Sequence, residues 1–143
     1  MQQITHNNQI LAIIVKNNFK KDGVEFFTPN DFSQQLGYMS HKKGKIIDSH
    51  VHNPVKREVH LTKEVLFIKK GKLRVDFYDD NKIYLNKSVI LEDGDVILLA
   101  YGGHGFEVLE DLEMIEVKQG PFVGDQDKIR FTGINNSHVK IIS

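Results

Sequence analysis

Leu73-Arg74-Val75-Asp76-Phe77-Tyr78-Asp79-Asp80-Asn81 alternates apolar and polar residues and then runs into three turn-forming ones. Side chains of an extended chain point to opposite faces in succession, so this alternation predicts a half-buried strand with Leu73, Val75 and Phe77 inward. Asp79-Asp80-Asn81 reads as the turn that ends it. The same pattern spreads in both directions. Lys45 to His52, Val59 to Lys69, Lys82 to Leu85 and Ser88 to Leu91 read as strands. So do Val96 to Tyr101, Phe106 to Leu109 and Met114 to Lys118, with a second turn at Glu92-Asp93-Gly94-Asp95. Many short strands with closely spaced turns predict an all-β sandwich or barrel.

Ahead of this region, Ile10 to Val15 and Val24 to Thr28 are rich in β-branched and aromatic residues and predict two more strands. Thr28-Pro29-Asn30-Asp31 offers helix caps beside a proline, so one brief helix is expected from Asp31 to Leu36, stopped by Gly37. Phe26, Phe27 and Phe32 read as core. After Gly120 the chain is mixed, and Val139 to Ile142 is expected as an edge strand. The whole reads as one domain: N-terminal strands and helix over 1–43, a barrel over 44–118 and a C-terminal segment over 119–143.

The bulk composition excludes several classes. The 143 residues carry 19 Lys plus Arg against 19 Asp plus Glu, and this zero net charge argues against a nucleic-acid partner. With no cysteine, neither a disulfide nor a thiolate metal site can form, so a metal would need imidazole and carboxylate. Ile10 to Val15 is far short of the roughly 20 apolar residues that span a bilayer. No signal pattern opens the sequence, so a cytoplasmic protein without membrane contact is expected.

Four histidines lie in the strand-rich region: His50, His52, His60 and His104. His50 and His52, two apart on an expected strand, would point to one face and could converge on one ion. Gly44 precedes the pair. Glu64 and Gly71 bracket an apolar run, and Gly94-Asp95 opens a strand that ends in Gly102-Gly103-His104-Gly105.

This order resembles the two motifs of the cupin superfamily over roughly Gly44 to Leu109. The resemblance implies a cupin-type β-barrel (jelly roll) and, as metal ligands, His50, His52, Glu64 and His104 around a divalent Zn, Fe, Mn or Ni ion. The departures are specific. Eleven residues separate His52 from Glu64, Ala100 replaces the usual proline, and His104 arrives one residue early. A tight turn at Asn53 to Arg57 would set the pair opposite His60 and Glu58, with Glu64 about 13 Å further along. Either Asn53 to Thr62 bulges and Glu64 returns to the site, or His60 or Glu58 takes its place.

Most of the chain is also similar to small cupins encoded among surface-polysaccharide genes, through Gln35 to Met39, Thr62 to Leu66, Gly102 to Phe106 and Lys118 to Phe122. That likeness implies a sugar-derived small-molecule substrate. Three functions compete: a metal-dependent isomerase or epimerase, a metal-free ketoisomerase of nucleotide-linked sugars, and a non-catalytic binding module. In the metal-dependent reading His60, Tyr101 or Glu107 would serve as base; in the metal-free one the His-x-His pair would be acid and base. Arg57, with Lys56, could clamp a phosphate or carboxylate, or simply be a solvated hairpin tip. Lys118 would line the pocket or snorkel, and Tyr101 would donate a proton or pack. A homodimer is expected through Ile10 to Val15 and Val24 to Phe27, apolar segments outside the motif-bearing barrel.

Overall fold

A computed structural model describes all residues, 1–143, and the chain is built mainly of antiparallel strands. They are β1 (Gln2–His6), β2 (Gln9–Val15), β3 (Gly23–Phe26), β4 (Gly37–Ser40), β5 (Glu64–Tyr78), β6 (Tyr84–Leu91), β7 (Val96–Leu99) and β8 (Gly103–Lys118). The main sheet runs β1-β2-β7-β5-β6, and β8 pairs along the other side of β5. β3 and β4 form a separate hairpin. Two short 3₁₀ turns, Gly124–Asp127 and Asn136–His138, are the helical content, and no helix is long and apolar enough to cross a membrane.

β5 organises the fold. It joins two expected strands into one of 15 residues, pairing Glu64 to Phe67 with β7 and Leu73 to Tyr78 with β6. β8 follows it from end to end, Glu64 opposite Lys118 and Phe77 opposite His104. If β5 were straight, Glu64 and Phe77 would stand about 43 Å apart. Yet Glu64 touches His104, the partner of Phe77. The sheet must therefore curl on itself, and it does so where the β5–β8 register slips three times between Ile68 and Leu73. Such bulges bend a strand and increase its twist. Gly71 sits inside that stretch with φ +96°, and its amide donates to Asp93 at 2.6 Å.

The bulges also exchange the faces of β5. Before them Leu66 and Ile68 are buried; after them Leu73, Val75 and Phe77 are, and all five join Ile4, Leu11, Ala12 and Ile14 in the principal core. The opposite face of the second half carries Arg74, Asp76 and Tyr78. These are buried too, which the alternating pattern did not foretell. The C-terminal segment covers them: Ile134 donates its amide to Tyr78, Asn136 accepts from Arg74, and Ile141 bridges to Ser88.

Several expectations fail for identifiable reasons. Lys45 to His52 forms no strand, because no neighbouring strand pairs with it; residues 41–62 are irregular and exposed, Val51 by 86%. The stretch at Asp31 to Leu36 is a turn, not a helix. Gln35 donates to the carbonyls of Pro29 and Phe32, and six residues offer too few bonds to offset helix nucleation. Phe26 is exposed, while Phe27 is buried. Ile10 to Val15 does not stand apart as a dimer surface: β2 lies between β1 and β7, with Ile13 and Ile14 wholly buried in the chain's own core.

Candidate functional site

Glu64 opens β5 on the face shared with Leu66 and Ile68, so the pleat draws its carboxylate inside the curl. His104 is the second residue of β8, reached through the bend Tyr101-Gly102. Gly102 has φ +73°, and a Cβ there would lie 2.7 Å from the Tyr78 carbonyl oxygen, so only glycine lets the chain make this approach. The two elements set His104 Nε2 3.2 Å from Glu64 Oε2, with both side chains largely out of solvent. The hydrogen bond from His104 holds the Glu64 carboxyl below its ordinary value, outweighing the opposing effect of burial; the charges of His104, Lys128 and Lys118 add to the lowering.

The pair lies in the wall of a cleft of about 880 Å³. From there the cleft passes the bare backbone of Gly102, Gly103 and Gly105 to a polar cluster around Arg74. Arg74 donates to both oxygens of Asp76, at 2.8 and 2.9 Å, and pairs with Glu107. Asn136 links the same two groups, accepting from Arg74 and donating to Glu107. Residues 127–136 supply much of the rest of the lining. This C-terminal lining and the Arg74 cluster were not among the residues expected from sequence, Glu107 apart. Their only signal was an Arg-x-Asp pair inside an otherwise apolar strand.

The other expected residues are distributed unevenly. His60 lines the cleft at its exposed rim, 3.8 Å from Glu58. Tyr101 lines a smaller adjoining cavity of about 150 Å³, which also touches His104. Its hydroxyl donates to Asp80, which holds the phenol above its ordinary value. Lys118 is engaged by Asp127, which accepts a hydrogen bond from its ammonium at 3.1 Å and raises its proton affinity. Glu107 is engaged by Arg74. Lys56 and Arg57 lie on the exposed segment and line neither cavity, so they form no clamp at this cleft.

His50 and His52 also lie on that segment. Their rings contact each other edge to face at 5.2 Å, and His50 Nδ1 lies 2.9 Å from the Asp48 carbonyl oxygen. Of the four ligands that the sequence resemblance implies, Glu64 and His104 meet and the two histidines stand elsewhere. No group of three or more His, Asp or Glu side chains converges as a metal site would require. The donor set does not fit an ion in this conformation.

Compared with protein-family models, curated proteins and solved structures, the chain finds no match.

Proposed function

We propose that the chain is a cupin-type barrel that binds a small, oxygen-rich, sugar-derived molecule in the cleft and moves a proton on it, as an isomerase or epimerase does. The observation that carries this reading is the Glu64–His104 pair, 3.2 Å apart in the cleft wall. A carboxylate beside Nε2 selects the tautomer with its proton on Nε2 and leaves the Nδ1 lone pair available as a base. His104 takes a proton from the carbon next to a carbonyl, and the electron pair moves onto the carbonyl oxygen as an enediolate. Glu64 stabilises the imidazolium so formed. The proton of the neighbouring hydroxyl passes to the enediolate oxygen, and return of the first proton from His104 to the former carbonyl carbon yields the isomer and restores the neutral imidazole. The cupin assignment draws support from the curled antiparallel sheet and from Gly71 and Gly94, both of the motif order, which adopt positive φ at turns and bulges.

The test is proton exchange. Keto sugars, sugar phosphates and nucleotide-linked sugars are incubated with the protein in D₂O, and loss of the carbon-bound proton is followed by NMR. Wild type exchanges a substrate proton, His104→Gln abolishes exchange, and Glu64→Gln slows it by about 10²- to 10⁴-fold, the range of a positioned acid–base group. Exchange unaffected by His104→Gln refutes the assignment.

A second reading rests on the tether. The segment bearing His50 and His52 leads directly into Glu64, so its movement would carry both imidazoles toward Glu64 and His104 and complete a Zn, Fe, Mn or Ni site. Elemental analysis of protein prepared without chelator decides it: one ion per chain in wild type, and none in the His50→Ala/His52→Ala variant.

A further inference from the structure

Residues 128–133 form a strap fastened at both ends along the cleft. At one end Asp127 accepts from Thr62 and Lys118, both at 3.1 Å. At the other, the Ile134 amide donates to the Tyr78 hydroxyl at 2.9 Å. Between these points Phe131 packs edge to face on Tyr78 at 5.0 Å. Gly133 passes so close to the same hydroxyl that a Cβ would sit 2.9 Å from it. The strap is thus held to the wall by the C-terminal fold itself.

Lys128 and Arg130 stand on this strap, and both line the cleft. Lys128 begins it in extended backbone, φ −152° and ψ 155°. The charges around them are matched in a particular way. Every carboxylate lining the cleft has a partner: Glu64 has His104, Asp76 and Glu107 have Arg74, and Asp127 has Lys118. Lys128 and Arg130 enter no ion pair. Two cations are therefore left over, on a fastened support, facing the space beside the Glu64–His104 pair.

We propose that Lys128 and Arg130 bind the anionic end of the substrate, a phosphoryl group, while its sugar end lies against His104. This rests on the proton-transfer reading for the role of His104 and adds the substrate class. A planar guanidinium pairs with two phosphoryl oxygens and an ammonium with a third, which suits a tetrahedral anion better than a flat carboxylate.

The test titrates four probes, glucose 1-phosphate, inorganic pyrophosphate, malonate and glucose, by calorimetry at low salt. Wild type, Lys128→Gln/Arg130→Gln and His104→Gln are compared. Wild type is expected to bind glucose 1-phosphate and pyrophosphate at least tenfold more tightly than glucose, and malonate more weakly than either phosphate. The Lys128→Gln/Arg130→Gln variant should lose that preference without a change in its urea midpoint. His104→Gln should retain it, because the anion does not rest on the imidazole. Equal binding of phosphates by wild type and the double lysine–arginine variant overturns the proposal, as does wild-type binding of glucose as tight as that of glucose 1-phosphate. A preference for malonate makes the site a carboxylate site and overturns the phosphoryl assignment. The proton-exchange result with His104→Gln stands apart from all of these, so either claim can fail alone.

Discussion

Gly71→Ala strikes the point where the sheet folds over, and its cost can be worked from the backbone. Gly71 has φ +96°, a conformation that alanine adopts only under strain of about 1 to 3 kcal/mol. The added Cβ would lie 2.0 Å from the Asp111 carbonyl oxygen, whereas ordinary contact begins at 3.4 Å, so β8 must retreat by about 1.4 Å. The obstacle is backbone, which has no rotamer by which to yield. Where Gly71 shifts instead of β8, the bond from its amide to Asp93 is lost, a charge-assisted bond worth about 1.5 to 3 kcal/mol. The combined destabilisation is expected at about 2.5 to 6 kcal/mol. Urea unfolding followed by circular dichroism measures it, with Gly124→Ala as the control: Gly124 has φ +67° and no atom within 4 Å of the added Cβ, so it reports the strain alone. Because the fold at Gly71 brings Glu64 to His104, the His104 ring resonances should shift in Gly71→Ala and stay put in the control. A loss under about 1 kcal/mol with His104 unmoved would refute the claim that this bend closes the site.

Further outcomes follow from the same structure. Arg74→Met should cost about 3 to 5 kcal/mol by leaving Asp76 charged and buried, and Arg74→Met/Asp76→Leu should recover most of that loss in urea unfolding. Glu64 is held below its ordinary value of 4.5, so its contribution to stability is fully present above that pH and disappears as pH falls through the lower folded value. Unfolding of wild type and Glu64→Gln at a series of acid pH values should show that limb in wild type alone. A homodimer is expected through the β3–β4 hairpin, where Val24, Phe26 and Met39 are about half exposed; light scattering should give twice the chain mass, and Val24→Glu/Phe26→Glu should give the monomer.

The strand-rich architecture was legible in sequence because period-2 alternation is a local property. Leu73, Val75 and Phe77 needed no partner to declare their common face, and they are buried together. Glu64 and His104 stood out through their order among Gly71, Gly94 and Gly102, which adopt the positive φ that other residues resist. The burial of Arg74, Asp76 and Tyr78 could not be read in the same way. It depends on Ile134, Asn136 and Ile141, some 50 to 60 residues away, and charge alternation alone cannot distinguish a solvated face from one covered later in the chain. Lys45 to His52 failed for the converse reason. Its residues suit a strand, but strand stability lies in cross-strand pairs, and the tertiary structure supplies it with none. Sequence by itself thus determined which segments could be strands and which glycines could turn. The tertiary structure alone decided which strands found partners, where β5 bends, and that Lys128 and Arg130 face the cleft while Arg57 does not. Those outcomes depend on contacts across the whole chain, which no local periodicity encodes.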